Sequence, residues 1–384
     1  MTLPKPHPGE SMGFHIYGNY VAESTTGQRE QLIWSSIKHL CSSEIASETL
    51  NKTYQIADAT KRTAIASNIK LYINQAFDFY SSASQASANT SPLFYYYSFM
   101  NLAKAICEIK NPNFHKTQES YHHGLSWHPN SNFTVNMLTE HVKISTKGVW
   151  HALYESISNK PLAIPNPTNL LIKDLFSCCP ETSSEYEECF GALPKLIELC
   201  YPQLLCNTAG NQVWIRFSII PHLLKHRGIS IKKFNEIVSN GGAIYRQVLN
   251  EDDEHLYLYT FELATPKKVN PSNEILFSLL KPEIQMMNIF VHPELKSLSP
   301  EFVGLCYYVT VQDHLPLMLP QLMLLYTISF WLGSLVRYDP SSVSYLQDSK
   351  YWRIIEGFIS QSRLLLLELF EWEFYQCETT LISA

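Results

Sequence analysis

A nearly unbroken apolar segment at residues 93–109 dominates the pattern of this chain. The polar residues within it are Ser98, Asn101, Lys104 and Glu108. Spacings of three, three and four put them on one narrow stripe of a helix, with apolar side chains around the rest of its circumference. The pattern predicts a buried helix that begins at Pro92 and ends at Asn111-Pro112, and around which other elements pack.

The polar stripe of this helix allows two interpretations. In the first, the stripe residues are hydrogen-bonded inside the protein, because an unpaired buried polar group costs about 1–3 kcal/mol. In the second, the stripe faces a cleft together with His123 of the following loop, Tyr121-His122-His123-Gly124. In the second interpretation Arg337 closes the cleft from the end of a later helix. The binding residues predicted on this basis are Tyr97, Asn101, Lys104, Glu108, His123 and Arg337.

Apolar periodicity predicts further helices in both terminal parts of the chain. They cover residues 29–40, 60–80, 302–311, 322–336 and 351–374. Residues 315–336 carry no charge and are long enough to span a bilayer, which is the alternative to a soluble fold. Pro316, Pro320 and Gln321 interrupt the first third of that segment, so a buried helix at residues 322–336 is favoured over a membrane span.

The middle of the chain alternates between strand and helix patterns. Val213, Ile215, Phe217 and Ile219 alternate with more polar residues, which predicts a half-buried strand over residues 212–220. Ser230 is a candidate N-cap for the helix that follows. The other predicted elements are a strand at 142–146, a helix at 149–157, a helix from 166 to 176, a surface loop at 181–188, and a hairpin of residues 243–249 and 255–263 around the acidic tip 250–254.

These elements predict a mainly α, α+β fold. Its N- and C-terminal helices form a bundle, and the middle of the chain adds a small antiparallel sheet. The predicted division is an N-terminal helical part at residues 1–135, an α+β region at 136–298, and C-terminal helices at 299–384 that pack on the N-terminal ones.

Composition and charge narrow the classes of function. The 384 residues are 45% hydrophobic with a net charge of −6, which argues against nucleic-acid binding over the whole surface. A local basic groove stays open, and its candidates are Lys225, Arg227, Lys232 and Lys233. The nine cysteines are scattered without a Cys-x-x-Cys pair, which indicates reduced thiols and a cytoplasmic location. No metal site is predicted, because the acidic tip lacks calcium-ligand spacing. No cofactor is predicted, because the sequence has neither a P-loop nor a dinucleotide-binding fingerprint.

Three segments carry a resemblance to a family. SPLFYYYSFMNLAKAI, then HHGLSW, and later LPQLMLLYTISFWLGSLVRYDP resemble the signature stretches of the bacterial YaaC-like family. They lie at the two ends of residues 92–345, and the residues between them resemble the family only in their general pattern of residue types. The resemblance implies a bacterial, cytosolic protein and brings no activity with it.

A second resemblance concerns the same helix. A tyrosine pair followed by Asn101-x-Ala103-Lys104, and then a loop ending in His-Gly, is similar to the first helices of HEPN domains. That resemblance implies a helical bundle that often dimerises and, in many members, a ribonuclease with Arg-x4-6-His on a helix. Arg216 and His222 have this spacing, but Arg216 lies in a predicted strand and Pro221 precedes the histidine. HEPN-type catalysis is therefore in doubt.

Two functions of different classes follow. The first is a YaaC-like cytosolic interaction module that acts with a protein partner, a second copy of itself or nucleic acid, without turnover of its own; the resemblance to HEPN domains implies antiphage defence as its context. The alternative is a HEPN-type ribonuclease or toxin-like effector acting on RNA. No membrane partner is expected.

Overall fold

The computed structural model describes residues 4–11, 21–23, 26–129, 135–158, 161–162, 168–207, 209, 211–239, 244–248, 258–268, 289–292, 306–376 and 381–383. The chain folds into two compact units. We call residues 22–194 and 313–376 the helical unit, and residues 1–21, 195–312 and 377–383 the sheet unit.

The helices and strands are numbered here in chain order. The helices are α1 (Thr26–His39), α2 (Ser43–Lys52), α3 (Ala59–Gln85), α4 (Ser91–Lys110), α5 (Val149–Ser158), α6 (Ile172–Phe176), α7 (Ser183–Phe190), α8 (Pro221–His226), α9 (Ile231–Val238), α10 (Gln321–Tyr338), α11 (Pro340–Gln347) and α12 (Trp352–Tyr375). The strands are β1 (Glu10–Ser11), β2 (Val21–Glu23), β3 (Leu125–Ser126), β4 (His141–Ile144), β5 (Thr168–Leu171), β6 (Leu196–Cys206), β7 (Gln212–Ile219), β8 (Tyr245–Val248), β9 (Tyr259–Leu263), β10 (Lys267–Lys268), β11 (Ile289–His292), β12 (Cys306–Thr310) and β13 (Leu381–Ser383).

The helical unit is organised around α4 and α10. α4 packs against α3, α5, α10 and α12, which confirms the prediction of a central buried helix that starts at Pro92. α10 is buried from Gln321 to Leu335, as its uncharged sequence predicts. The two helices approach closely at Gly333, where a Cβ would stand 3.1 Å from Cβ of Tyr96. β3, β4 and β5 form a small antiparallel sheet in the same unit.

The sheet unit carries the antiparallel sheet that the middle of the chain predicts. Its strand order is β11-β12-β6-β7-β9-β8, with β1 paired to β6 and β10 paired to β7. The predicted pairing of two strands within residues 243–263 is confirmed as β8 against β9, whereas the acidic tip at 250–254 lies outside the described residues. β7 is buried on both faces rather than half-buried, because Trp214 and Ser218 of its polar face are also covered.

The prediction of a helix at residues 302–311 was wrong. Its described part is the strand β12, which pairs with β6 on one side and β11 on the other. A short apolar run has no period that separates a buried strand from a buried helix, and Tyr307, Tyr308, Val309 and Thr310 are residues that strands favour.

The predicted secondary structure of two other segments was also wrong. The segment expected to be a surface loop at 181–188 contains a 3-10 turn at Pro180–Thr182 and most of α7, with Glu181 and Tyr186 buried. The acidic composition of this segment gave no sign that one side of α7 is buried. The helix expected from residue 166 is instead the strand β5 followed by α6, and residues 166 and 167 lie outside the described part of the chain.

None of the helices in the described ranges combines the length and the apolar character needed to cross a membrane. The mainly α, α+β class is confirmed. The likeness of the bundle to HEPN domains and the three-part division of the chain stay predictions.

Candidate functional site

A cavity of about 470 Å³ opens in the helical unit between α4, α10 and the segment that follows the His-Gly loop. Its aromatic walls are Tyr96, Tyr97, Trp127, Phe330 and Tyr338. Its basic groups are His123, His128 and Arg337. The structure therefore brings together three of the predicted binding residues, Tyr97, His123 and Arg337.

The His-Gly loop is held by its backbone. The amides of Val149 and Trp150, at the start of α5, donate to the carbonyls of His122 and His123 at 2.8 and 3.0 Å. Gly124 (φ +80°) and Gly148 (φ +129°) adopt conformations that side chains disfavour. They also touch, because a Cβ on Gly148 would stand 2.3 Å from the amide nitrogen of Gly124. These contacts fix the position of His123 independently of its side chain.

The side chain of His123 is bonded to a buried phenol. The Tyr96 hydroxyl and Nδ1 of His123 are 2.7 Å apart. Burial lowers the pKa of His123 below its ordinary value, and the positive charges of Lys104 and Arg337 act in the same direction. The imidazole is therefore neutral at neutral pH, with one ring nitrogen already engaged by Tyr96.

Arg337 lies at the exposed edge of the cavity. Its Nη1 donates to the Tyr97 hydroxyl at 2.6 Å, and the Tyr97 ring stacks on Phe79 of α3 at 5.4 Å between centroids. The guanidinium also lies 5.0 Å from the centre of the Tyr338 ring. Among the described carboxylates, none forms a salt bridge with Arg337, so its charge is available to an anion.

Trp127 forms a fixed wall of the cavity. Its indole Nε1 donates to Oε2 of the buried Glu140 at 2.8 Å, and Nε1 of Trp331 in α10 approaches the same oxygen at 3.4 Å. One carboxylate thus ties the segment after the His-Gly loop to the core of the helical unit. The indole face stays available to the cavity while its polar edge is satisfied.

The predicted stripe does not face this cavity, and that expectation was wrong. Ser98 donates to the carbonyl of Ala76 at 2.7 Å, and Nδ2 of Asn101 donates to the carbonyl of Tyr97 at 2.9 Å. Glu108 is buried and accepts from the backbone amides of Asn113 and His115, both at 3.0 Å. The internally bonded interpretation of the stripe is the correct one for these three residues.

Lys104 takes an intermediate position. It is not part of the cavity wall, and burial lowers its pKa below the ordinary value. Its charge still lowers the pKa of His123. Lys104 therefore influences the site electrostatically without lining it.

Sequence reasoning missed several residues of the cavity wall. Trp127 and His128 come shortly after the His-Gly loop in the sequence, and Phe330 precedes Arg337 by two helical turns. The available signal was an aromatic residue near two predicted site residues, since Trp127 lies four positions after His123 and Tyr338 follows Arg337. Its meaning depends on the packing of α4 against α10, which no local pattern shows.

The other predicted basic residues belong to the sheet unit. Lys225 and Arg227 lie at the end of α8, and Lys232 and Lys233 lie in α9. Arg216 does not form a helical pair with His222. It lies in β7, and its Nη2 donates to Oε2 of the buried Glu262 at 3.0 Å. The spacing of Arg216 and His222 is therefore fortuitous.

The model of the family described as YaaC-like protein matches residues 38–372. Comparisons with curated proteins and with solved structures give no match.

Proposed function

This chain belongs to the YaaC-like protein family, and we propose that it is a binding module whose cavity holds a planar, anionic ligand of the nucleotide class without turning it over. The observation that carries the proposal is the exposed Arg337 at the edge of an aromatic-walled cavity. The ligand can be a free nucleotide or an unpaired base of RNA, which share this chemistry.

The aromatic walls of the cavity match the flat base of such a ligand. Tyr96, Tyr97, Trp127, Phe330 and Tyr338 offer flat faces on several sides. Stacking of a base on an aromatic side chain contributes about 1–3 kcal/mol and is tolerant of base identity. The volume of about 470 Å³ falls within the range of about 300–1,000 Å³ that is usual for small-molecule sites.

The positive charge of the cavity matches the phosphate of such a ligand. Arg337 can donate two parallel hydrogen bonds to a phosphate, and such charge-assisted bonds are about twice as strong as neutral ones. The neutral His123 adds a polar edge without adding charge. A ligand with one flat ring and one phosphate satisfies both sets of groups.

The groups of the cavity wall are already hydrogen-bonded to one another. His123 bonds to Tyr96, and Tyr97 accepts from Arg337. Groups that are bonded to each other hold a fixed shape, which favours recognition.

Calorimetric titration with ribonucleoside monophosphates and with a short single-stranded RNA tests this proposal and separates the two ligand sources. Arg337→Gln should weaken binding about tenfold or more, because one charge-assisted hydrogen bond contributes roughly 1.5–3 kcal/mol. Arg353→Gln is the matched control, since Arg353 is an exposed arginine of α12 paired with Glu188. Equal affinity of both variants, or no binding of any of these probes, would contradict the proposal.

A second function is favoured by one observation. A neutral imidazole and an arginine share the cavity, and these groups could accept the proton of an RNA 2′-hydroxyl and neutralise the phosphate. Incubation with a mixed RNA pool tests this ribonuclease alternative. Cleavage abolished by His123→Ala but kept by His222→Ala would replace the binding proposal with the enzyme; intact RNA with the wild-type chain would exclude it.

The partner, location and biological context of the chain are also proposals. A protein partner or a second copy, a cytoplasmic location and a role in antiphage defence remain predictions. Light scattering of the purified chain distinguishes monomer from homo-oligomer. Phage challenge of cells with and without the gene tests the defence context.

A further inference from the structure

The helices α8 and α9 of the sheet unit are joined by a tight, fully bonded turn over residues 227–230. Gly228 has φ +66°, its amide donates to the carbonyl of Lys225 at 3.0 Å, and the amide of Ile229 donates to the carbonyl of Leu224 at 2.9 Å. This is the Schellman ending of a helix. Ser230 then caps α9 by accepting from the amide of Lys233 at 3.1 Å. A short helix, a glycine turn and a capped second helix make a helix–turn–helix arrangement.

The strands around these helices complete a larger pattern. β7 immediately precedes α8, and β8 and β9 follow α9. β9 lies between β7 and β8 and is antiparallel to both, with Phe261 opposite Phe217 and Gln247. Among β7, β8 and β9, the last strand in chain order, β9, lies in the centre, so α8 and α9 connect the two strands that flank it.

The second helix is anchored on the sheet by its apolar face. Phe234 is fully buried, with its ring 5.1 Å from that of Phe261 and 6.5 Å from that of Phe217. Ile237 and Val238 are buried on the same side. The opposite face of α9 therefore points away from the sheet. None of the large apolar side chains that the structure describes as exposed belongs to α9, so this face lacks the anchors of a protein interface.

The exposed charged side chains of the two helices are mainly basic. Lys225 and His226 of α8 and Lys232 of α9 are exposed, and the exposed acidic residue of α9 is Glu236. His222 lies one helical turn before His226, with the two rings stacked 6.4 Å apart. This local excess of positive charge contrasts with the net charge of −6 of the whole chain. Charge of this sign complements a phosphate backbone.

We propose that α8 and α9 bind double-stranded DNA, with α9 in the major groove and Lys225 and Lys232 on the phosphates. The major groove of B-form DNA admits a helix, whereas the major groove of A-form RNA is too narrow. Duplex RNA is therefore not the expected ligand. This activity is separate from the cavity of the helical unit, and either can fail without the other.

Fluorescence anisotropy of the full chain with a labelled duplex DNA of mixed sequence, about 30 base pairs long, tests the proposal. The affinity should fall with salt between roughly 50 and 200 mM, with a slope in log–log form of about −0.9 per phosphate contact. The double variant Lys225→Gln/Lys232→Gln should bind about tenfold or more weakly and reduce the magnitude of the slope by about 2. Circular dichroism should show an unchanged fold, because both side chains are exposed.

The control variant is Lys61→Gln/Lys70→Gln, which removes two exposed lysines of α3 in the helical unit. Its affinity for DNA should stay within twofold of the wild-type value. Equal losses in the two double variants would mean nonspecific attraction and would overturn the assignment. No duplex binding at low salt, or tighter binding of duplex RNA of the same length, would also overturn it. Lys232→Glu, a single reversal of charge, provides an independent check.

Discussion

The cavity of the helical unit and the basic face of the sheet unit are built on opposite principles. In the cavity, polar groups already bond to one another, as in the pairs Tyr96–His123, Tyr97–Arg337 and Trp127–Glu140. On α8 and α9, Lys225 and Lys232 project from helices whose caps and apolar face are fixed. A preorganised cavity selects the shape of a small ligand, whereas exposed cations select charge and respond to salt. The following predictions test that contrast, from the largest expected effect to the smallest.

Gly148→Ala should disrupt the cavity most. A methyl group there would meet the amide nitrogen of Gly124 at 2.3 Å, and the backbone has φ +129°. We expect a loss of about 3 kcal/mol or more in the free energy of unfolding, together with loss of nucleotide binding. Urea unfolding measures the first and calorimetry the second.

The control for that variant is Gly191→Ala. Gly191 also has positive φ, +62°, but no heavy atom lies within 4 Å of the added Cβ. It should cost only about 1 kcal/mol and leave ligand binding intact. Equal costs at the two positions would show that the contact between Gly124 and Gly148 does not set the shape of the loop.

Glu181→Gln should stabilise the chain at alkaline pH. Burial raises the pKa of Glu181 to about 7, and Ser362 donates to its Oε1 at 3.0 Å. The folded state thus holds a proton that the unfolded state releases near pH 4.5, so stability falls as the pH rises from about 4.5 to about 7 and then levels off.

The variant lacks this titration, so at pH 8 it should be more stable than the wild type by about 3 kcal/mol. At pH 5 the difference should shrink to about 1 kcal/mol or less. Urea unfolding at both pH values measures the difference. The same increment at pH 5 and pH 8 would exclude titration of Glu181 as its source.

Ser230→Ala tests the sheet unit. Removal of the cap of α9 should cost about 1 kcal/mol. DNA affinity should fall while nucleotide binding in the cavity stays unchanged, which anisotropy and calorimetry measure side by side. A loss of nucleotide binding in Ser230→Ala would show that the two activities are not independent.

His123→Gln should produce the smallest change, visible as a pH dependence. Because the pKa of His123 is lowered in the folded state, the unfolded chain takes up the proton first as the pH falls below about 6.5. Wild-type stability should therefore decline relative to the variant on acidification, and the two should run parallel above pH 7. Thermal unfolding between pH 5 and 8 measures this. Parallel curves throughout would mean that His123 is not buried as described.

The elements with their own strong period could be predicted from the sequence, and those defined by a partner could not. α4 and α10 are apolar around most of their circumference, and α9 has an N-cap serine and one apolar face. β12 depends on β6 and β11 at both edges, so its short apolar run was taken for a helix. α7 was missed because the glutamates around Tyr186 concealed its buried side.

The residues of the candidate site also fall into those that could be predicted from the sequence and those that could not. His123 and Arg337 could be proposed because a His-Gly loop and a cation at a helix end are local features. The choice between the two interpretations of the polar stripe could not be made for Ser98 and Glu108, because they bond to backbone groups of Ala76 and Asn113 outside their helix, whereas Asn101 bonds to the carbonyl of Tyr97 within it. The aromatic walls from α10 required the close packing of Gly333 against Tyr96, which is a tertiary contact.

The contact between Gly124 and Gly148 has a consequence for tracing this cavity in other chains. Two glycines that touch and both need positive φ are each required by the loop, because a side chain at either position would be strained. A His-Gly dipeptide followed by a glycine 24 positions later (124 and 148), and then by a tryptophan two positions on (Trp150), is therefore a fingerprint of the loop. A family member that keeps this spacing should keep the histidine in place even where the aromatic walls differ, and one that lacks either glycine should lack the cavity.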